Sequence, residues 1–191
     1  DYIMGNPPFI GAMLLTSEQT AEMKDLLGNV KGFGELDYVT AWYIKAAELC
    51  EEHAIKCAFV STNSICQGQS VLTFWKYLIQ NLRVHIDYAY RSFVWSNKAK
   101  GVAQVHCVII GFSIHSSSGF RHIFLTDGSK INASNINPYL IDTENMFIES
   151  RSRPLCDVSP MRFGSMPRDG GFLILTKEER DDFLIRYPET A

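Results

Sequence analysis

Asp1-Tyr2-Ile3-Met4-Gly5-Asn6-Pro7-Pro8-Phe9-Ile10-Gly11 is an apolar strand that runs directly into Asn-Pro-Pro-Phe. Two successive prolines fix φ and remove two backbone donors, so the Asn6 side-chain amide and the Pro7 carbonyl can stand as paired acceptors beside the flat ring of Phe9. A substrate amino group fits between two such acceptors. With Phe9 stacked on the ring that carries it, the nitrogen lone pair is drawn out of conjugation and can be aimed at an electrophilic methyl group. A simple turn is the alternative reading, since Asn and Pro both favour turns. The position directly after an apolar strand and directly before an aromatic residue favours amino-methylation chemistry.

The elements that follow read as a strand-and-helix series. Thr16-Ser17-Glu18-Gln19 has capping-box form and opens a helix through Met23, Leu26 and Leu27 that ends at Gly28. The glycine-rich stretch Gly28 to Gly34 follows a helix rather than a strand, so it reads as a mobile connection and not as a phosphate cradle. Asp37 is placed to cap a longer helix from Tyr38 to about His53, with Val39, Trp42, Tyr43, Ala46, Ala47 and Cys50 on one apolar stripe. The run from Ile55 to Thr62 reads as a buried strand, and Ser70 to Gln80 as the next amphipathic helix. Val84 to Tyr90 and Val102 to Phe112 give two more strands. Only a loop carrying Arg91, Phe93, Trp95, Lys98 and Lys100 connects them, which makes them antiparallel neighbours. The expected fold is an α/β sheet finished by a hairpin.

From Ser113 the character changes. A linker-like Ser116-Ser117-Ser118-Gly119 is followed by a short strand, Phe120 to Leu125, the turn Asp127-Gly128-Ser129, and irregular sequence rich in Asn, Pro, Gly and Arg. Thr176-Lys177-Glu178-Glu179 forms a second capping box and begins a helix to about Arg186. The expected division is 1–113 for the sheet domain, 114–135 for a linker region, and 136–191 for the start of a second domain.

Composition narrows the function. No apolar run approaches the roughly 20 residues that span a bilayer and no charged-then-apolar leader is visible, so a cytoplasmic protein without membrane contact is expected. Cys50, Cys57, Cys66, Cys107 and Cys156 form no Cys-x-x-Cys pair, and the five histidines lack metal-ligand spacing, so no structural metal is expected. The net charge of −3 gives no global signature for nucleic acid, yet residues 91–170 hold 9 Lys and Arg against 6 Asp and Glu while residues 1–90 hold 6 against 10. The chain opens inside a strand and without a methionine, which reads as a piece of something longer.

The stretch Asn6 to Phe9 resembles motif IV of class I S-adenosylmethionine-dependent N6-adenine DNA methyltransferases. The likeness continues through Gly34 to Val39, Ala58 to Ile65, Arg91 to Trp95 and Val105 to Phe112. Leu155-Cys156, Phe163 to Gly171 and Tyr187-Pro188-Glu189 resemble the start of the target-recognition region in the MmeI class of fused restriction and modification enzymes. The resemblance implies the gamma motif order, with cofactor motifs first, motif IV next and target recognition last. It therefore implies the C-terminal half of a Rossmann-like methyltransferase sheet ending in an antiparallel hairpin, followed by the start of a mixed target-recognition domain.

By the same resemblance, Asn6 and Pro7 accept from the target amino group, Pro8 is the rigid spacer and Phe9 stacks on the base. Phe93, or alternatively Trp95, packs on the other face of a flipped adenine; a hydrophobic lid on the sheet edge is the competing reading of that loop. Arg91, Lys98 and Lys100 are candidates for phosphate contact, or for a solvated turn. The S-adenosylmethionine-binding residues are expected upstream of residue 1, so the fragment is expected to be inactive alone and not to bind the cofactor, while the parent acts on double-stranded DNA in a restriction-modification system. The uncovered first strand is expected to self-associate. The other classes that fit Asn-Pro-Pro-aromatic are an N-methyltransferase for a protein glutamine or an RNA base, and a non-enzymatic DNA-specificity module.

Overall fold

Six strands and five α-helices organise the residues that the computed structural model describes, namely 1–51, 53–95, 104–115, 119–149, 151, 153–159, 164, 169–172 and 174–190. The apolar run at the amino end is β1 (Tyr2–Gly5). It is followed by α1 (Ser17–Leu27), α2 (Thr40–Glu51) and β2 (Lys56–Thr62). Next come α3 (Gly68–Ser70), a π-helical segment (Val71–Trp75) and α4 (Lys76–Gln80), which form one continuous rod. β3 (His85–Trp95), β4 (Val105–Ser113), β5 (Arg121–Phe124) and β6 (Lys130–Ala133) complete the sheet, and α5 (Lys177–Arg186) lies in the tail.

The sheet is mixed, in the order β1-β2-β4-β3-β5-β6. β1 and β2 pair in parallel, with Ile3 opposite Cys57 and Gly5 opposite Phe59. The expected antiparallel pairing of β3 with β4 is present, and β4 also pairs antiparallel with β2. The returning strand thus sits between β2 and β3, which run in the same direction. The strands β1, β2 and β3 therefore all finish at one end of the sheet.

One face of this sheet carries the core. β2 buries Cys57, Phe59 and Ser61 while the residues between them face the other side, the period-2 pattern of a strand buried on one face. Tyr43 of α2 is the centre of this packing. Its ring meets Phe59 edge-on at 5.1 Å, Phe74 at 5.5 Å and Trp75 at 5.9 Å, and stacks on Phe112 at 5.1 Å. Its hydroxyl lies 2.8 Å from Ser61 Oγ, so the polar tip of a fully buried ring is satisfied.

Four local expectations are corrected. Arg91, Phe93 and Trp95 do not lie in a loop: β3 continues through Trp95, because a register shift between Tyr90 and Phe93 absorbs one extra residue and pairing resumes at Phe93–Cys107 and Trp95–Val105. Asp37 does not cap α2 with its side chain; its backbone carbonyl accepts from Thr40 N and Oγ1, and its carboxylate turns toward the end of β2. The helix expected over 70–80 begins at Gly68 and contains the π-helical segment. The sheet does not finish at the β3–β4 hairpin either. The strand expected over Phe120 to Leu125 is present as β5 and pairs in parallel with β3, and β6, which lacks enough apolar alternation to stand out, becomes a strand by pairing with β5.

The first capping box forms as read, with Thr16 and Gln19 exchanging side-chain and backbone bonds. Residues Asp1–Ser150 make one compact unit and Arg151–Ala191 a second. In the second, Thr176 and Glu179 form the other capping box at the start of α5. Among the described residues no helix is long and apolar enough to cross a membrane.

Candidate active site

Asn6, Pro7, Pro8 and Phe9 leave the carboxyl end of β1, where the peptide following a parallel strand is the usual place for ligand chemistry in an open α/β sheet. Pro7 is buried and anchors the segment, Phe9 is half-buried against the core, and Asn6 and Pro8 are exposed. Rigid backbone with an exposed amide is what an amino-group acceptor needs. The segment is tied down just beyond Phe9, where Ile10 O accepts from Tyr38 N at 2.9 Å.

Phe93 and Trp95 come to the same end of the sheet on β3. The register runs Thr62–Cys107–Phe93 across β2, β4 and β3, so Phe93 stands level with the last residue of β2. Being two residues apart on one strand, Phe93 and Trp95 share a face, and their ring centroids lie 6.3 Å apart at 46°. Phe93 is half-buried and Trp95 exposed. The register shift that precedes Phe93 sets this face, the re-aiming that bulges provide beside functional sites. Arg91 is exposed on the same strand; Lys98 and Lys100 lie outside the described residues.

A polar set that the sequence reading missed lies between these two groups. Asp37 Oδ2 accepts from Ser64 Oγ at 2.5 Å and from Thr62 Oγ1 at 3.2 Å, and the two hydroxyls are 2.8 Å apart. Asn63 Nδ2 donates to Ser92 Oγ at 3.2 Å. Single polar residues at strand ends carry no pattern, so only the Ser-Thr-Asn-Ser run at 61–64 gave any signal. Three of the thiols are unsuited to nucleophilic work: burial pushes those of Cys66, Cys107 and Cys57 up, away from the thiolate. Among the described residues no cluster of three or more His, Cys, Asp or Glu could hold a metal ion.

The family model for the MmeI DNA-methyltransferase domain matches residues 1–125, and that for the MmeI target recognition domain matches residues 142–191. The chain belongs to the MmeI family of DNA methyltransferases. It is 39% identical over 188 residues to DNA methyltransferase A of Bacillus subtilis (strain 168), covering 98% of this chain and 21% of that relative. It is also similar to the solved structure of the Type IIL restriction-modification enzyme MmeI in complex with DNA, with a TM-score of 0.88 and 42% identity, covering 98% of this chain and 26% of that one. The chain therefore spans about a fifth to a quarter of the relatives it matches. The mixed sheet is that of the C-terminal half of the Rossmann-like methyltransferase domain in this family.

Methyltransferases of this family imply S-adenosylmethionine, and the residues present fit it in part. A cavity of about 450 Å³ opens beside Asn6, Pro7 and Pro8, with Trp42, Leu49 and Phe59 among its walls. Proline and indole faces suit a flat ring. Its lining holds one charged side chain, Lys45, and no carboxylate to accept from ribose hydroxyls.

Proposed function

We propose that this chain is the target-adenine half of the catalytic domain, with the start of the recognition domain, of a site-specific DNA adenine-N6 methyltransferase in a restriction-modification system. The observation that carries the reading is the Asn6–Phe9 segment at the carboxyl end of β1, on a chain of the MmeI family. The match to both a DNA-methyltransferase and a target recognition domain favours DNA adenine over a protein glutamine or an RNA base, and an enzyme over a bare specificity module.

The residues act by holding and orienting. Flipping adenine out of the duplex costs a few kcal/mol of unstacking, which stacking on Phe9 and on Phe93 or Trp95 offsets. The Asn6 amide oxygen and the Pro7 carbonyl accept the two N6 hydrogens, so electron density builds on the nitrogen lone pair instead of the ring. Bound S-adenosylmethionine supplies the methyl group. The proton that N6 gives up on methylation would pass to water by way of the Asn6 and Pro7 acceptors, and no covalent enzyme intermediate is required. Exposed Arg91, with Lys98 and Lys100, contacts phosphates and fixes register without reading sequence. Cofactor residues beyond the cavity beside Pro8 belong to other parts of the complete protein, so the fragment itself binds the cofactor too weakly to measure. β1 pairs only on its β2 side among the described residues, and Tyr2 and Met4 are exposed; self-association of the fragment through that edge belongs to the same reading.

The test is Asn6→Ala in the full-length protein. Single-turnover methylation of a cognate duplex should fall at least about a hundredfold, the scale of one lost transition-state hydrogen-bonding group, with cofactor affinity largely intact. Near-normal methylation by this variant would remove Asn6 from the mechanism.

A further inference from the structure

We infer that Asp37 is a positioning residue that sets the gap between the Asn6–Phe9 segment and the Phe93–Trp95 strand end, a role that rests on the adenine site proposed above. An aspartate just before a helix ordinarily turns its side chain onto the first free amides of that helix. Asp37 forgoes this. Its backbone carbonyl serves Thr40, and its carboxylate faces the carboxyl end of β2, accepting from Ser64 Oγ at 2.5 Å and Thr62 Oγ1 at 3.2 Å. The shorter contact lies in the range of a charge-assisted hydroxyl–carboxylate bond.

Both ends of this brace reach the base site. On one side, Tyr38 N donates to Ile10 O at 2.9 Å, one residue past Phe9. Gly11 there lies against the carboxylate, with a Cβ on Gly11 falling 3.6 Å from Asp37 Oδ1. On the other side, Thr62 and Ser64 flank Asn63, which donates to Ser92 Oγ, and Ser92 precedes Phe93. Asp37 bonds the end of β2 directly, and its chain neighbour Tyr38 and the Asn63 held between its two hydroxyl partners carry the connection to the segment after β1 and to β3. Tyr38 is held in turn by a hydrogen bond to Glu22 of α1 and by edge-on contact with Trp42 at 5.0 Å. The flipped base must fit between aromatics whose separation is fixed by this polar chain, and misplacement by about 1 Å can cost about a hundredfold in rate.

The experiment uses the full-length enzyme with a cognate duplex carrying 2-aminopurine at the target position. Asp37→Ala should lower single-turnover methylation about a hundredfold and change the 2-aminopurine response, while DNA affinity, cofactor affinity and melting temperature stay near wild type. Asp37→Asn keeps an oxygen that can accept from both hydroxyls and should recover at least about a tenth of the lost rate. The double variant Thr62→Val with Ser64→Ala keeps Asp37 but removes its partners, and should match Asp37→Ala in direction. A wild-type rate in Asp37→Ala overturns the inference. So does a loss of methylation that only tracks lost cofactor affinity and melting temperature, which marks a structural role. If Asp37→Ala does not fold, the double variant decides, and a wild-type rate there overturns the inference. Asn6→Ala separates this from failure of the site itself: a normal Asn6→Ala removes the adenine site, whereas a dead Asn6→Ala with normal Asp37 and hydroxyl variants removes only the brace.

Discussion

Gly111→Ala tests whether side-chain volume over the central strand holds β2, β4 and β3 in register, and with them the strand ends that form the proposed site. Gly111 pairs with Ala58 on one side and with Tyr88 on the other, and the Tyr88 ring lies across it. A Cβ built on Gly111 would fall 2.1 Å from Tyr88 Cε1, 2.4 Å from Cδ1 and 2.7 Å from Cζ. Carbon pairs settle at about 3.5–4.0 Å, so the ring must move by more than about 1 Å. Leaving its rotamer costs about 0.5–1.5 kcal/mol. Losing the edge-on contact of Tyr88 with Phe124, now at 6.4 Å and 83°, costs about 0.5–1.5 kcal/mol more. Alanine in place of glycine in a strand returns about 0.5–1 kcal/mol. The balance is a destabilisation of about 0–2.5 kcal/mol, rising toward about 3 if the strand shifts instead of the ring. Urea denaturation of Gly111→Ala, Tyr88→Ala and the double variant measures it. With the ring gone, Gly111→Ala should be neutral or slightly stabilising, a coupling of about 2 kcal/mol. An equal cost in both backgrounds would show that the backbone, not the Tyr88 ring, excludes the methyl group.

Three further outcomes are expected. Phe93→Ala should weaken extrusion of 2-aminopurine at the target position by about 1–3 kcal/mol, the range for one lost base-stacking contact, with Trp95→Ala as its control; a response confined to Trp95→Ala reverses the two roles. Tyr43→Phe removes the hydroxyl 2.8 Å from buried Ser61 and leaves that Ser61 hydroxyl unpaired, at a cost of about 1–3 kcal/mol in chemical denaturation. Adding Ser61→Ala should recover most of that loss, and no recovery would mean that the hydroxyl pair is not the source. Asp142 is held below the usual carboxylate range by the Asn135 N–H first; burial opposes this, and the Ser134 hydroxyl and N–H add to the lowering. Because the folded state favours the charged form, its contribution is complete above the ordinary aspartate value of 3.8 and is lost as pH falls through the lowered one. The Ser134 and Asn135 amide resonances should therefore shift on acidification below that value in wild type and stay flat in Asp142→Asn; flat wild-type resonances would contradict the assignment.

Sequence alone determined the elements whose signal is local. Asn-Pro-Pro-Phe after an apolar run marked the end of β1, because proline restricts its own backbone wherever it stands. Thr16 with Gln19 and Thr176 with Glu179 marked two helix starts, because each capping box closes within four residues. The apolar run of β2 and the short return from β3 to β4 likewise specified a strand and an antiparallel neighbour. Only the tertiary structure decided what depends on partners distant in the chain. β6 is a strand because β5 offers it an edge, and β3 runs on to Trp95 because β4 continues to pair with it across the register shift. Asp37 reads as a helix cap from its neighbours, yet it faces Thr62 and Ser64, 25 and 27 residues away. A carboxylate bonds whichever donors the fold brings within reach, and chain separation of that size leaves no periodic trace in the sequence.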